Sequence, residues 1–163
     1  MKPRRGPEIL VRPLRHGDVD TVWAVFARLG EASRRTRFLG PKLDLGETEL
    51  RWLANVGPDH HVLVASVDGD PEPVAMARLV RFRGGTAEIA FEVADAYQGR
   101  GIGSALAGLL VADARAAGIC EVTALVRNDN RAALALLRRV LGRLELRLEG
   151  PDTFVRALLP GCA

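Results

Sequence analysis

The stretch from Ala87 to Leu106 restricts the fold of this chain more than any other. Its first half alternates. Ala87, Ile89, Phe91 and Val93 point one way on a strand, and Glu88, Ala90, Glu92 and Ala94 point the other, which is the period of a half-buried strand. Its second half, Gln98-Gly99-Arg100-Gly101-Ile102-Gly103, runs into Ser104, Ala105 and Leu106, which open a helical pattern. A strand, a glycine-rich turn and a helix start together aim free backbone N–H groups and the positive end of a helix dipole at one spot. Such a spot suits a phosphate or pyrophosphate. Glycine fits there because it tolerates positive φ and lets an anion approach the backbone.

Two better-known phosphate-binding turns do not match. The Walker loop needs a lysine after its last glycine, and here Gly103 precedes Ser104. The dinucleotide pattern G-x-G-x-x-G fails too: Gly99 and Gly101 lead to Ser104, and Gly101 and Gly103 lead to Leu106. The Q-x-x-G-x-G run after an alternating strand instead resembles the acetyl-coenzyme A loop of the GCN5-related N-acetyltransferase (GNAT) family. That resemblance implies that acetyl-CoA is the cofactor, with coenzyme A as product. It also implies that Gln98, Gly99, Arg100, Gly101, Ile102, Gly103 and Ser104 hold the pyrophosphate. The backbone of Phe91, Glu92 and Val93 is then expected to pair with the pantetheine arm.

The 163 residues suggest one domain with a substantial core. Residues 1–8 read as a short basic tail and residues 9–160 as a single acetyltransferase domain. The longest apolar run, Ala105 to Ala112, is too short to span a bilayer. Glu8, Arg12 and Pro13 interrupt any signal-like segment, so a cytoplasmic location is expected and no membrane partner is. Cys120 and Cys162 make neither a disulfide framework nor a metal set, and Cys120 is expected to pack as a small apolar residue. The adjacent His60 and His61 do not have metal-ligand spacing, and no metal site is expected. The net charge is +3, but aromatics are only 5%. A basic stripe interleaved with aromatics, as nucleic acid would want, is therefore missing.

In chain order, residues 9–14 read as a strand. Asp18 caps a helix carrying Val19, Val22, Trp23, Phe26 and Leu29, with Gly30 as its stop. Residues 33–38 suggest a short helix whose arginines face water or a substrate, and 47–56 another. Strands at 61–67, 74–82 and 87–93, joined by tight turns, imply an antiparallel meander. A helix ending near Gly118 follows, then a buried strand at 121–126. A helix placing Ala133, Leu136, Leu137 and Val140 on one face comes next, and strands at 143–148 and 153–159 close the domain. The expected fold class is α/β (α+β). The order matches a GNAT fold, with a mixed central sheet of six to seven strands and helices on both faces.

Transfer to an amine is a nucleophilic attack on a thioester. A lysine-type amine has a pKa of about 10.4, so having it neutral at pH 7 costs roughly 4–5 kcal/mol. A placed carboxylate can contribute ~10²–10⁴ in rate. Glu88 and Glu92 share a strand face about 13 Å apart, too far to act on one atom together. The resemblance favours Glu88 as the catalytic base, since Ala-Glu-Ile before the cofactor turn matches the glutamate of related lysine acetyltransferases. Asn130 is expected to cap the helix that follows it, and the family places an asparagine there against coenzyme A. The tyrosine that the family often puts seven residues later, as acid for the leaving thiolate, is Leu137 here. A thiol of pKa about 8.5 leaves tolerably without that acid. Tyr97 reads as packing in the turn. The amides of Phe91 and Val93 are expected to meet the acetyl carbonyl, a role for which a strand bulge would free an N–H.

Short matches at 11–15, 33–38 and 59–65 look like the acetyltransferase domain of bacterial protein lysine acetyltransferases. They imply a protein lysine as acceptor. In multidomain relatives a nucleotide-binding or ligase-like domain is attached, and regulation through one is not expected of this chain. Two alternatives remain: an acetyltransferase for a polyamine, amino acid or antibiotic, and a non-catalytic acyl-CoA-binding module. Leu137 keeps the second open and Glu88 weakens it. A monomer or homodimer is expected.

Overall fold

The structure, a computed structural model, describes residues 7–162, so most of the basic tail lies outside the described residues. Seven strands form one mixed sheet: β1 (Ile9–Pro13), β2 (His60–Val67), β3 (Ala75–Arg81), β4 (Thr86–Val93), β5 (Glu121–Arg127), β6 (Glu145–Glu149) and β7 (Asp152–Leu158). Their spatial order is β1-β2-β3-β4-β5-β7-β6. The meander β2–β3–β4 is antiparallel as its tight turns imply, and β4–β5 is the parallel pair. Helices α1 (Val19–Ala27), α2 (Glu31–Phe38) and α3 (Glu47–Leu53) precede β2. Helix α4 (Ile102–Ala116) joins β4 to β5, and α5 (Arg131–Leu141) joins β5 to β6.

Strand alternation divides the core in two. Leu63, Ala77 and Ile89 face α4 and α5, where they pack with Leu106, Leu110 and Leu137. Val62, Val64 and Met76 face the other way and pack with Val22, Phe26 and Leu53 of α1 and α3. Helices thus cover both faces, as expected. The differences from the sequence reading are local. Leu109 is exposed rather than on the buried stripe of α4. His60 and His61 both lie within β2. Gly30 does not stop α1, which ends at Ala27, but opens α2. A Cβ at Gly30 would collide with Asp95 Oδ2, so glycine lets the β4–α4 connection press against the start of α2.

The cysteines overturn an expectation. Cys120 and Cys162 are disulfide-bonded, with Cα atoms 5.4 Å apart. The pairing Glu121↔Leu158 and the bond from Leu159 N–H to Cys120 O (2.8 Å) bring the two chain segments together. Counting cysteines cannot see that strand pairing.

Candidate active site

Strands β4 and β5 pair over only three rungs, Thr86↔Glu121, Ala87↔Val122 and Glu88↔Thr123. Beyond Glu88 they diverge, because β5 pairs along its whole length with β7 while β4 stays on β3. The wedge between them opens into a cleft of about 670 Å³. Its walls include Phe91 and Val93 of β4, Ala124 and Val126 of β5, and Leu136 and Leu137 of α5.

The divergence decides which backbone groups are free. Ala94 donates its N–H to Val74 O (2.7 Å) and Phe82 to Thr86 O (2.8 Å). Antiparallel alternation therefore turns the even-numbered residues of β4 toward β3, and the N–H groups of Phe91 and Val93 toward the wedge. The β3–β4 register runs from Ala75↔Val93 to Arg81↔Ala87 without interruption, so no bulge frees an N–H there. The departure of β5 frees the amides in its place.

At the wide end lies the turn into α4. Gln98, Gly99, Gly101, Ile102, Gly103 and Ser104 all line the cleft. Gly101 caps α4 at φ 81° with no side-chain cap, so the first N–H groups of the helix remain available to an anion. Arg100 is the member of the run that does not line the cleft; its guanidinium lies 5.1 Å from the Tyr97 ring centroid. Gln98 turns its side-chain amide to Ser33 Oγ (3.0 Å) and Val93 O (3.1 Å), tying α2 to β4. Asn130 lines the cleft and caps α5, accepting from Ala133 N–H at 3.1 Å.

The remaining candidates separate. Glu88 is exposed and does not line the cleft; it stands at the last paired rung, on the sheet face opposite α4 and α5. Glu92 lines the cleft and is 8% exposed, its carboxylate 3.4 Å from Nε of Arg37. Leu137 is buried in the wall, so no hydroxyl occupies the position of the family tyrosine. Tyr97 does more than pack. It donates to Asp70 Oδ2 (2.6 Å), which also takes an ion pair from Arg28 (2.7 Å), and so fastens the turn to the β2–β3 connection. Those two contacts, Arg28 first, hold the Asp70 carboxyl well below the usual carboxylate range, and Asp70 raises the Tyr97 hydroxyl.

Two cleft residues escaped the sequence reading. Arg139 lines the mouth and donates to Ser104 Oγ at 2.8 Å, joining α5 to the turn. Arg37 lines the wall with Ala32, Ser33 and Thr36, the face that α2 turns inward. Helical spacing in 33–38 carried that signal, but five polar residues in a row hide which face is covered.

The cleft fits a long thioester with a diphosphate: an uncapped helix start and glycine turn at one end, an apolar channel, and free strand amides toward the apex. Comparison with known proteins agrees. Residues 27–142 match the profile of the Acetyltransferase (GNAT) family. The chain is 33% identical over 153 residues to Acetyltransferase Pat of Mycolicibacterium smegmatis, covering 86% of this chain and 42% of that protein. It thus spans less than half the length of that relative. The GNAT domain of S. lividans PAT superposes with a TM-score of 0.83 at 24% identity, covering 98% of this chain and 100% of that one. YncA of Salmonella typhimurium, solved with its cofactor acetyl-CoA, superposes with a TM-score of 0.70 at 22% identity, covering 95% of this chain and 96% of that one.

Proposed function

The chain belongs to the acetyltransferase (GNAT) family, and on that premise we propose that it acetylates the amine of a protein lysine, with Glu88 as the base. Acetyl-CoA supplies an acyl thioester, an electrophile already activated toward amines. The residues to hold it are the Gln98–Ser104 turn at the diphosphate, with Asn130 and Arg139 at the mouth, and the strand amides at the arm. The observation that carries the assignment is the end of the β4–β5 ladder at Glu88↔Thr123. Glu88 stands at the apex of the wedge, on the face from which an acceptor enters. There it takes the ammonium proton, directly or through one water, leaving the nitrogen lone pair free. The N–H groups of Phe91 and Val93 stabilise negative charge on the carbonyl oxygen. Leu137 offers no side-chain acid, so the sulfur would leave as a thiolate, and the second proton that the nitrogen sheds on becoming an amide would pass to that sulfur or to solvent.

The resemblance of 11–15, 33–38 and 59–65 to the acetyltransferase domain of bacterial protein lysine acetyltransferases favours a macromolecular acceptor over a small amine, and the basic helix α2 opposes a polycationic one. The same reading places the protein in the cytoplasm. Among the described residues no helix is long and apolar enough to cross a membrane. Cytoplasmic reductants would keep Cys120 and Cys162 as thiols held together by strand pairing.

The test is Glu88→Gln, assayed by thiol release with lysine peptides, a cell lysate and small amines in parallel. Turnover should fall by ~10²–10⁴, with acetyl-CoA affinity by calorimetry close to wild type. Wild-type turnover in Glu88→Gln would remove the base. Small-amine turnover without labelled protein would remove the lysine acceptor.

A further inference from the structure

Beneath α2 the sheet buries more positive charge than it neutralises. Arg78 of β3 is 4% exposed, on the same sheet face as Glu88 and Glu92. Its Nη1 donates to Leu53 O at 2.8 Å and meets Nε2 of His60. Nδ1 of His60 lies 3.0 Å from Asn55 O, a carbonyl that only accepts, so His60 carries its proton on Nδ1 and receives Arg78 on Nε2. His60 is therefore neutral and brings no counter-charge. The other edge of the Arg78 guanidinium, Nε and Nη2, is buried without a hydrogen-bond partner. Those two donors form the fork that binds a carboxylate in bidentate fashion.

Glu92, opposite Met76 and diagonal to Arg78 across the β3–β4 ladder, is a buried carboxylate on the same sheet face. In this structure it is turned to Arg37 of α2 instead, through one contact of 3.4 Å. Two guanidinium groups share one carboxylate, and the buried one is left with an empty fork. Buried donors without acceptors are costly. A second carboxylate would balance the cluster, and of the two guanidinium groups Arg37 is the one that lines the cleft.

We propose that Arg37 recognises a carboxylate on the acceptor, an acidic residue near the target lysine, and that Glu92 then turns to the free edge of Arg78. The inference rests on the lysine-acetyltransferase reading, and it names the acceptor sequence. Glu92 and Glu88 lie four strand residues apart, about 13 Å. A free lysine, from its amine to its own carboxylate, is shorter than that. A chain carrying lysine and a nearby acidic side chain spans it. The exchange moves no covalent bond: one ion pair is replaced by two, and both guanidinium groups gain a full partner.

The experiment uses two peptides that differ only in Glu or Gln beside the lysine. Each is titrated calorimetrically into the protein saturated with coenzyme A, and each is assayed for turnover with acetyl-CoA. The Glu peptide should bind about tenfold tighter and show a KM lower by about the same factor, with similar kcat, as one charge-assisted contact predicts. In Arg37→Gln the ratio between the peptides should fall to about one, whereas loss of a merely structural arginine would shift both peptides together. Arg78→Met should shrink the ratio as well, because Glu92 then has nowhere to turn; if that variant does not fold, the peptide pair and Arg37→Gln still decide. Equal binding of both peptides, binding of neither, or a preference that survives Arg37→Gln would overturn the proposal. Preferential binding without turnover would leave it standing and sink the enzymatic reading, and turnover without preference would do the reverse.

Discussion

Replacing Gly101 by alanine separates the backbone of the turn from everything around it. Gly101 sits at φ 81° and ψ 4° as the cap of α4. A Cβ built there meets nothing within 4 Å, so the substitution carries no steric cost of packing. What remains is the left-handed backbone, which costs an L-residue about 1–2 kcal/mol. A domain of this size loses roughly 2–4 °C of Tm per kcal/mol, so Gly101→Ala should melt ~2–8 °C lower. If the chain escapes the strain by moving φ to negative values, the amides of Ile102, Gly103 and Ser104 turn away from the cleft. Holding them in place for the diphosphate then costs the same 1–2 kcal/mol, a rise of about 5- to 30-fold in the Kd for acetyl-CoA. Gly103 provides the contrast. Its φ is helical, and its added Cβ would lie 3.6 Å from Leu136 and 3.8 Å from Val93, an ordinary contact with the apolar wall. Gly103→Ala should therefore keep its Tm and bind within about twofold of wild type. Melting curves and calorimetry on both variants read the two quantities. Wild-type affinity in Gly101→Ala, or equal losses in both variants, would refute the role assigned to the backbone.

Two further perturbations address the frame around the cleft. Burial, and next the neighbouring Arg78, hold the His60 pKa below its ordinary value of 6.5, so the unfolded chain takes up that proton first as pH falls. Its contribution is complete above pH 6.5 and is lost below it; the urea midpoint should drop between pH 7.5 and 5.5, and His60→Gln should flatten that slope. An unchanged slope would clear His60 of the role. The Cys120–Cys162 bond closes a loop of 42 residues, for which chain entropy gives an upper value of about 4 kcal/mol. Reductant should lower Tm by up to roughly 8–16 °C, with Cys162→Ser unresponsive; a reductant-sensitive Tm in that variant would place the effect elsewhere.

The sequence carried the outline well because its strongest patterns are local. Alternation in 87–93 set which side chains of β4 meet the α4–α5 core, and the helical pattern read from Ser104 lies two residues inside the observed start of α4 at Ile102. Pairings between distant segments were not legible. The wedge depends on β5 leaving β4 after Thr123 to follow β7, and no residue of β4 announces that departure. For the same reason the divergence that frees the β4 amides was not legible, and Cys120 was read apart from Cys162. The roles of Glu88 and Glu92 look alike on a strand; they part only because α2 carries Arg37 over one of them and leaves the other in solvent. Arg78 was not singled out in the sequence reading. Its unfilled fork needed coordinates to be seen.

On the reading proposed above, the turn at Gln98–Ser104 and the free edge of β4 hold acetyl-CoA. Backbone amide NMR of the protein titrated with acetyl-CoA tests it directly. Large, saturable shifts are expected at Gly101, Ile102, Gly103, Phe91 and Val93, with β1 and β6 unmoved. Saturable binding that leaves those five amides in place, or no shift anywhere at millimolar acetyl-CoA (a Kd weaker than about 1 mM), would contradict it.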